Sequence, residues 1–148
     1  MSDYIVKIIP KDPFYKVSDL TLRSAKSFLQ MRVRCDFIEV GVSETPVFVD
    51  CGENLDKISC PECGAELDPE WWGEAMDQAA ECGFTSLKTE MPCCKRLISL
   101  NDLDYDFLCG FASALISIFN PIEYIDDKML EAIENILGIP VRRIEAHI

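Results

Sequence analysis

The chain has 148 residues, 49% hydrophobic and 27% charged, and its 14 Lys and Arg against 26 Asp and Glu give a formal net charge of -12. That is the length of one ordinary domain with enough apolar residues to bury a core, which excludes a disordered or fibrous chain. An excess of acid repels phosphate backbones, so nucleic acid is disfavoured as a partner.

The acid is unevenly placed. Residues 1–50 hold seven basic and seven acidic side chains, residues 51–108 four and thirteen, and residues 109–148 three and six, so the segments net 0, -9 and -3. Cys51, Cys60, Cys63, Cys82, Cys93 and Cys94 lie in the same middle segment, with Cys35 and Cys109 just outside. The expectation is a single domain over 1–148 containing an acidic, cysteine-rich, zinc-binding insertion over 51–108. Lys7 and Pro10 interrupt any apolar leader, and the run Phe111 to Phe119 is far short of the roughly 20 residues of a membrane span. The chain therefore reads as cytoplasmic with no membrane contact. In that reducing compartment eight cysteines are better taken as metal ligands and buried thiols than as disulfides.

In chain order, Tyr4–Ile9 is a β-type run closed by the turn from Pro10 to Pro13. Ser18 caps a predicted helix with Leu22, Ala25, Phe28 and Leu29 at helical spacing. Val33–Val40 reads as a second strand, with Pro46–Asp50 its continuation or a short partner. Further on, Asp68 and Pro69 punctuate the start of a helix reaching Glu81, whose Trp72, Ala75, Met76, Ala79 and Ala80 form an apolar stripe. Glu70, Glu74, Asp77 and Glu81 share its opposite face, a solvated stripe or a surface for a basic partner. Trp71 borders it as core rim or exposed anchor. Asn101–Asp106 carries alternating acids but lacks the glycine turn and terminal Glu of an EF-hand, and reads as a solvated loop. Phe111–Phe119 alternates like a central strand. Asp126 or Asp127 caps a helix with a Met129, Leu130, Ile133, Ile136, Leu137 stripe, stopped at Gly138. Ile139–Ile148 makes a last, edge strand because Pro140 cannot donate to a ladder. Arg142 and Arg143 read as isolated bases. Two β-α-β halves flanking an insertion with one helix predict an α+β, ferredoxin-like sandwich.

Cys60-Pro-Glu-Cys63-Gly64 is the strongest local signal. Two thiolates two residues apart bind one metal ion when the chain turns so that backbone N–H groups face the sulfurs, and Gly64 admits the left-handed residue that completes the turn. Pro92-Cys93-Cys94 supplies two more sulfurs after a β-like approach over Ser86 to Met91. Adjacent side chains in an extended segment point apart. Either the turn bends sharply and the set is Cys60, Cys63, Cys93 and Cys94, or Cys82, Cys51 or Cys109 replaces one member. A redox CxxC would place its first cysteine at a helix N-terminus, from which Gly64 and Pro69 separate this motif. His147 is the single histidine, at the chain end, which disfavours catalytic zinc and Ser-His-Asp or Cys-His chemistry.

The combination CPECG, EWWGEAMDQA, PCC, NDLDY and GFAS resembles a group of small bacterial proteins with a zinc-ribbon or zinc-knuckle type site. The resemblance implies the shared zinc site and transfers no activity. The expected function is non-enzymatic: a structural Zn(Cys)₄ site in a protein-interaction module with a basic protein partner, such as an immunity-type inhibitor of a basic toxin. The alternatives are a nucleic-acid-binding zinc-ribbon regulator and a thiol oxidoreductase.

Overall fold

The computed structural model describes residues 3–52 and 55–147. It is a mixed α+β structure whose frame is a four-stranded antiparallel sheet in the order β2-β7-β1-β8, formed by β1 (Tyr4–Pro10), β2 (Phe37–Val49), β7 (Gly110–Phe119) and β8 (Val141–His147). Helix α1 (Asp19–Arg32) joins β1 to β2, and α3 (Asp127–Leu137) joins β7 to β8. The two β-α-β halves interleave, since β1 of the first half lies between β7 and β8 of the second.

The helices form where caps and periodicity coincide. The Ser18 hydroxyl accepts the Thr21 N–H, the Asp126 carboxylate accepts the Met129 N–H, and α3 stops at Gly138. Leu22, Ala25 and Leu29 of α1 and Ile133 and Leu137 of α3 bury against Val6, Ile8, Ile38, Ala114, Ile116 and Ile118 of the sheet. Side chains the size of Leu29 and Ile133 each contribute about 2 kcal/mol by leaving water. This apolar layer covers one sheet face.

Residues between β2 and β7 cover part of the other face. They comprise β3 (Ile58–Ser59), α2 (Pro69–Glu81), β4 (Lys88–Glu90), β5 (Leu97–Ser99), a 3-10 turn (Leu100–Asp102) and β6 (Asp104–Tyr105). Strand β3 pairs with β6, and β4 with β5. Ala75 and Ala79 of α2, Leu87, Met91 and Leu100 share a core with Ile9, Val49, Phe111 and Ile144 of the sheet. Trp72 packs edge-on to Phe48 at 5.8 Å, and Phe84 lies 5.3 Å from Phe111. The inserted segment is thus a second layer on the sheet.

Several sequence expectations change. Val33 caps α1 through its N–H to the Leu29 carbonyl, so the second strand starts at Phe37. The run Pro46–Asp50 continues it through Val49 as one strand, with a register shift between Val42 and Val47, and Pro46 is tolerated because β2 lies at the sheet edge. Ala80 is exposed, because α2 meets the core through a narrower stripe of Ala75 and Ala79 with Trp72 and Met76 beside it. The last strand starts at Val141, and Ile148 lies outside the described residues.

The segment Asn101–Asp106 is not a solvated loop. Asn101, Leu103 and Tyr105 are buried while Asp102, Asp104 and Asp106 face out. Asn101 accepts the Phe111 N–H on Oδ1 at 2.9 Å and donates from Nδ2 to the Lys11 carbonyl at 3.2 Å. Arg142 is not isolated, since its Nη1 donates to the carbonyls of Asn101 and Cys109, each at 3.1 Å. Arg143 likewise donates to the Ile125 carbonyl at 2.7 Å. Gly110 lets these groups converge: a Cβ there would sit 2.7 Å from Arg142 Nη1 and 2.8 Å from Asn101 Oδ1. Asn101→Ala would strand the Phe111 N–H and the Lys11 carbonyl, and urea unfolding should show a loss of about 1–3 kcal/mol.

Candidate metal centre

Each cysteine pair sits in a tight turn built from β structure. After β3, the Cys60 N–H bonds to the Ala65 carbonyl at 2.9 Å and the Gly64 N–H returns to the Cys60 carbonyl at 2.8 Å. A bridge between Ser59 and Glu66 closes the base. The second turn tips the β4–β5 hairpin and repeats this pattern. The Met91 N–H bonds to the Arg96 carbonyl at 2.9 Å, and the Lys95 N–H to the Met91 carbonyl at 3.0 Å. The left-handed position is Gly64 in the first turn, φ 75°, and Lys95 in the second, φ 62°.

The matched hydrogen bonds align Cys60-Pro61-Glu62-Cys63-Gly64 with Met91-Pro92-Cys93-Cys94-Lys95. Cys94 therefore stands at the position of Cys63. The position of Cys60 is taken by Met91, which is wholly buried in the inserted core, and the second turn supplies its other thiol from the apex at Cys93. This resolves how two adjacent cysteines turn towards one point. The clue lay in the Pro shared by both turns one residue after Cys60 and Met91, hidden because the eye aligns cysteine with cysteine.

The Sγ atoms of Cys60, Cys63, Cys93 and Cys94 all lie within 4.8 Å of one another. Cys60 and Cys94 approach to 3.8 Å, and Cys63 and Cys93 to 3.3 Å. A tetrahedral ion with metal–sulfur bonds of about 2.3 Å has sulfur–sulfur edges of about 3.8 Å. The donor set thus fits a single thiophilic ion with sub-ångström to ångström adjustment. Among the described residues, it is the group of His, Cys, Asp and Glu side chains placed to hold a metal. Cys51 and Cys109 are buried elsewhere, and Cys82 is exposed at the end of α2 with its thiol donating to the Ala79 carbonyl at 3.2 Å.

Local electrostatics favour ionisation at the base of the first turn. Desolvation opposes the Cys60 thiolate, but the backbone N–H groups of Cys63 and Glu62 outweigh it and bring the thiol down to about 7. Cys93 is pushed up to about 12, first by its hydrogen bond with Cys63 and then by desolvation. The metal-free cluster thus takes one negative charge readily and resists a second, as expected for closely spaced thiols. A bound divalent ion would remove that resistance. By contrast, burial raises both Cys51 and Cys109 above the ordinary thiol range.

The other nominated side chains lie on α2. Glu70, Glu74, Asp77 and Glu81 are exposed on it, and Trp71 is half-buried against the inserted core. They are separate from the sulfur cluster. Arg96 at the second turn pairs with Glu62 of the first at 3.1 Å. His147 stacks on Tyr4 with ring centroids 5.0 Å apart.

No protein-family model, curated protein or solved structure matches this chain. Among the described residues no helix is long and apolar enough to cross a membrane.

The two left-handed positions give a paired expectation. Nothing lies within 4 Å of a Cβ built on Gly64, so Gly64→Ala should cost about 1 kcal/mol through backbone conformation alone, and Lys95→Gly should return a similar amount. Metal-binding titrations of the two variants should move in opposite directions by about fivefold.

Proposed function

We propose that this chain is a non-enzymatic zinc-binding protein of the zinc-ribbon type, in which a structural Zn(Cys)₄ site holds an interaction module on a ferredoxin-like sandwich. The convergence of Cys60, Cys63, Cys93 and Cys94 within 4.8 Å carries the reading. Four sulfur ligands suit Zn²⁺ among common divalent ions and, once all are bound, fill a tetrahedral shell without leaving a position for substrate. The strand order β2-β7-β1-β8, with α1 and α3 on one face, supports the ferredoxin-like scaffold. Cysteines serving as metal ligands and buried thiols rather than as disulfides would suit a reducing, cytoplasmic setting.

The proposed partner is a basic protein, for instance a cationic toxin that this chain would neutralise. Glu70, Glu74, Asp77 and Glu81 are exposed along α2, and the net charge of -12 would steer a positive surface towards the molecule. Four mutually repelling carboxylates on one helix face gain by meeting a positive surface.

Native mass spectrometry of reduced protein should show one Zn²⁺ per chain. Strong chelation should weaken amide protection in residues 55–109 more than in the sheet strands. Because thiolates bind the ion and protons compete for them, zinc affinity should fall as pH is lowered, with the ion released on acidification. A chain that takes up no zinc at neutral pH would refute the site.

The interaction reading has a separate test. A complex with a basic protein recovered at low ionic strength should dissociate as salt rises, and the Glu74→Lys, Asp77→Lys variant should slow its association at least severalfold. Salt-independent binding, or association unchanged by that reversal, counts against α2 as the contact surface.

A further inference from the structure

The four cysteines differ in their exposure. Cys60 is 1% exposed and Cys94 is half-buried against the inserted core, whereas Cys63 and Cys93 are exposed. The sulfurs of the two exposed cysteines are 3.3 Å apart, shorter than the 3.8 Å between Cys60 and Cys94. Cys93 also enters from the apex of its turn, in register with Glu62 of the first turn. Resting on the zinc reading above, we infer that Cys63 and Cys93 are a modification site for hydroperoxides, whose oxidation to a disulfide expels the metal.

Hydrogen peroxide is the oxidant and accepts the two electrons. One exposed thiolate attacks a peroxide oxygen, the O–O bond breaks, and the products are a cysteine sulfenic acid and hydroxide. The second thiolate attacks the sulfenic sulfur, forms the S–S bond and displaces a second hydroxide. Two thiolates lose two electrons and peroxide gains them. Zn²⁺ then retains only Cys60 and Cys94 and leaves, because two thiolates no longer close its shell.

Geometry selects this pair over its competitors. Adjacent Cα atoms lie about 3.8 Å apart across a trans peptide, below the usual range of about 4.4–6.8 Å for a disulfide, which disfavours Cys93–Cys94. Cys60 is buried beneath its own turn, its sulfur facing the N–H groups of Glu62 and Cys63. Cys51 and Cys109 are buried away from the cluster. Cys82 is exposed but outside the cluster, so its oxidation leaves the metal in place.

A bond from Cys63 to Cys93 spans 30 positions and joins the same two turns that the ion joins. It restricts the unfolded chain in place of the ion. The oxidised form would therefore keep the two turns together while losing the +2 charge of zinc and two of its thiolate charges. Release of the ion, rather than collapse of the layer, is the signal.

The test uses the full zinc-loaded chain titrated with hydrogen peroxide, following free zinc with a chromogenic chelator and mapping disulfides by peptide mass spectrometry. The expected result is release of one Zn²⁺ per chain in step with a Cys63–Cys93 cross-link, reversed by dithiol reductant and added zinc. Cys82→Ser should release zinc at the wild-type rate. Zinc retained while Cys82 alone is oxidised, or release accompanied by Cys60–Cys63 or Cys60–Cys94 linkage, would overturn the assignment. A reduced chain that binds no zinc at the outset removes the zinc reading and the switch with it, whereas a zinc-loaded chain with the wrong linkage removes the switch alone.

Discussion

The inserted layer depends on how four sulfurs from two distant turns share one small volume. Their Sγ atoms lie within 4.8 Å of one another, and the hydrogen bond of Cys93 with Cys63, together with desolvation, opposes ionisation of Cys93. A bound divalent ion would convert that opposition into a bond holding β3 and its turn against the β4–β5 hairpin. The turns are prepared for it by their backbone. Glu62 and Cys63 direct N–H groups at the Cys60 sulfur, and the left-handed residues Gly64 and Lys95 close both turns with matching hydrogen bonds.

That layer is also fastened to the sheet. Ile9, Val49, Phe111 and Ile144 share a core with Leu87, Met91 and Leu100. Beside it, Asn101, Arg142 and the carbonyls of Lys11 and Cys109 form a hydrogen-bonded junction where the insertion rejoins β7. Burial of such groups is tolerated because their donors and acceptors are paired. The two turns are thus packed onto a sheet covered on its other face by α1 and α3.

The legible parts of the fold were those governed by local chemistry. Ser18, Asp68, Asp126 and Gly138 mark helix ends in sequence and in structure alike, and the alternation of Phe111–Phe119 belongs to a strand at the middle of the sheet. The short strands β3, β5 and β6 left no period to read, each being two or three residues long. Asn101–Asp106 looked like a polar loop because its acids dominate the pattern, yet alternation puts Asn101, Leu103 and Tyr105 inside. The role of Arg142 was likewise invisible, since its partners come from positions 101 and 109.

The candidate site divides along the same line. The Cys-x-x-Cys-Gly spacing by itself determines a turn able to offer two sulfurs to a metal, because two cysteines and a left-handed glycine at that interval suffice to shape it, and the acid excess of residues 51–108 follows from counting. Tertiary structure decided which other sulfurs complete the set. Cys93 and Cys94 join Cys60 and Cys63, while Cys51, Cys82 and Cys109 lie outside, because the β4–β5 hairpin carries its turn to the first one across a separation of about thirty residues. It also decided which of these cysteines are exposed, a property of how Met91 anchors the second turn in the core and leaves Cys93 at its apex.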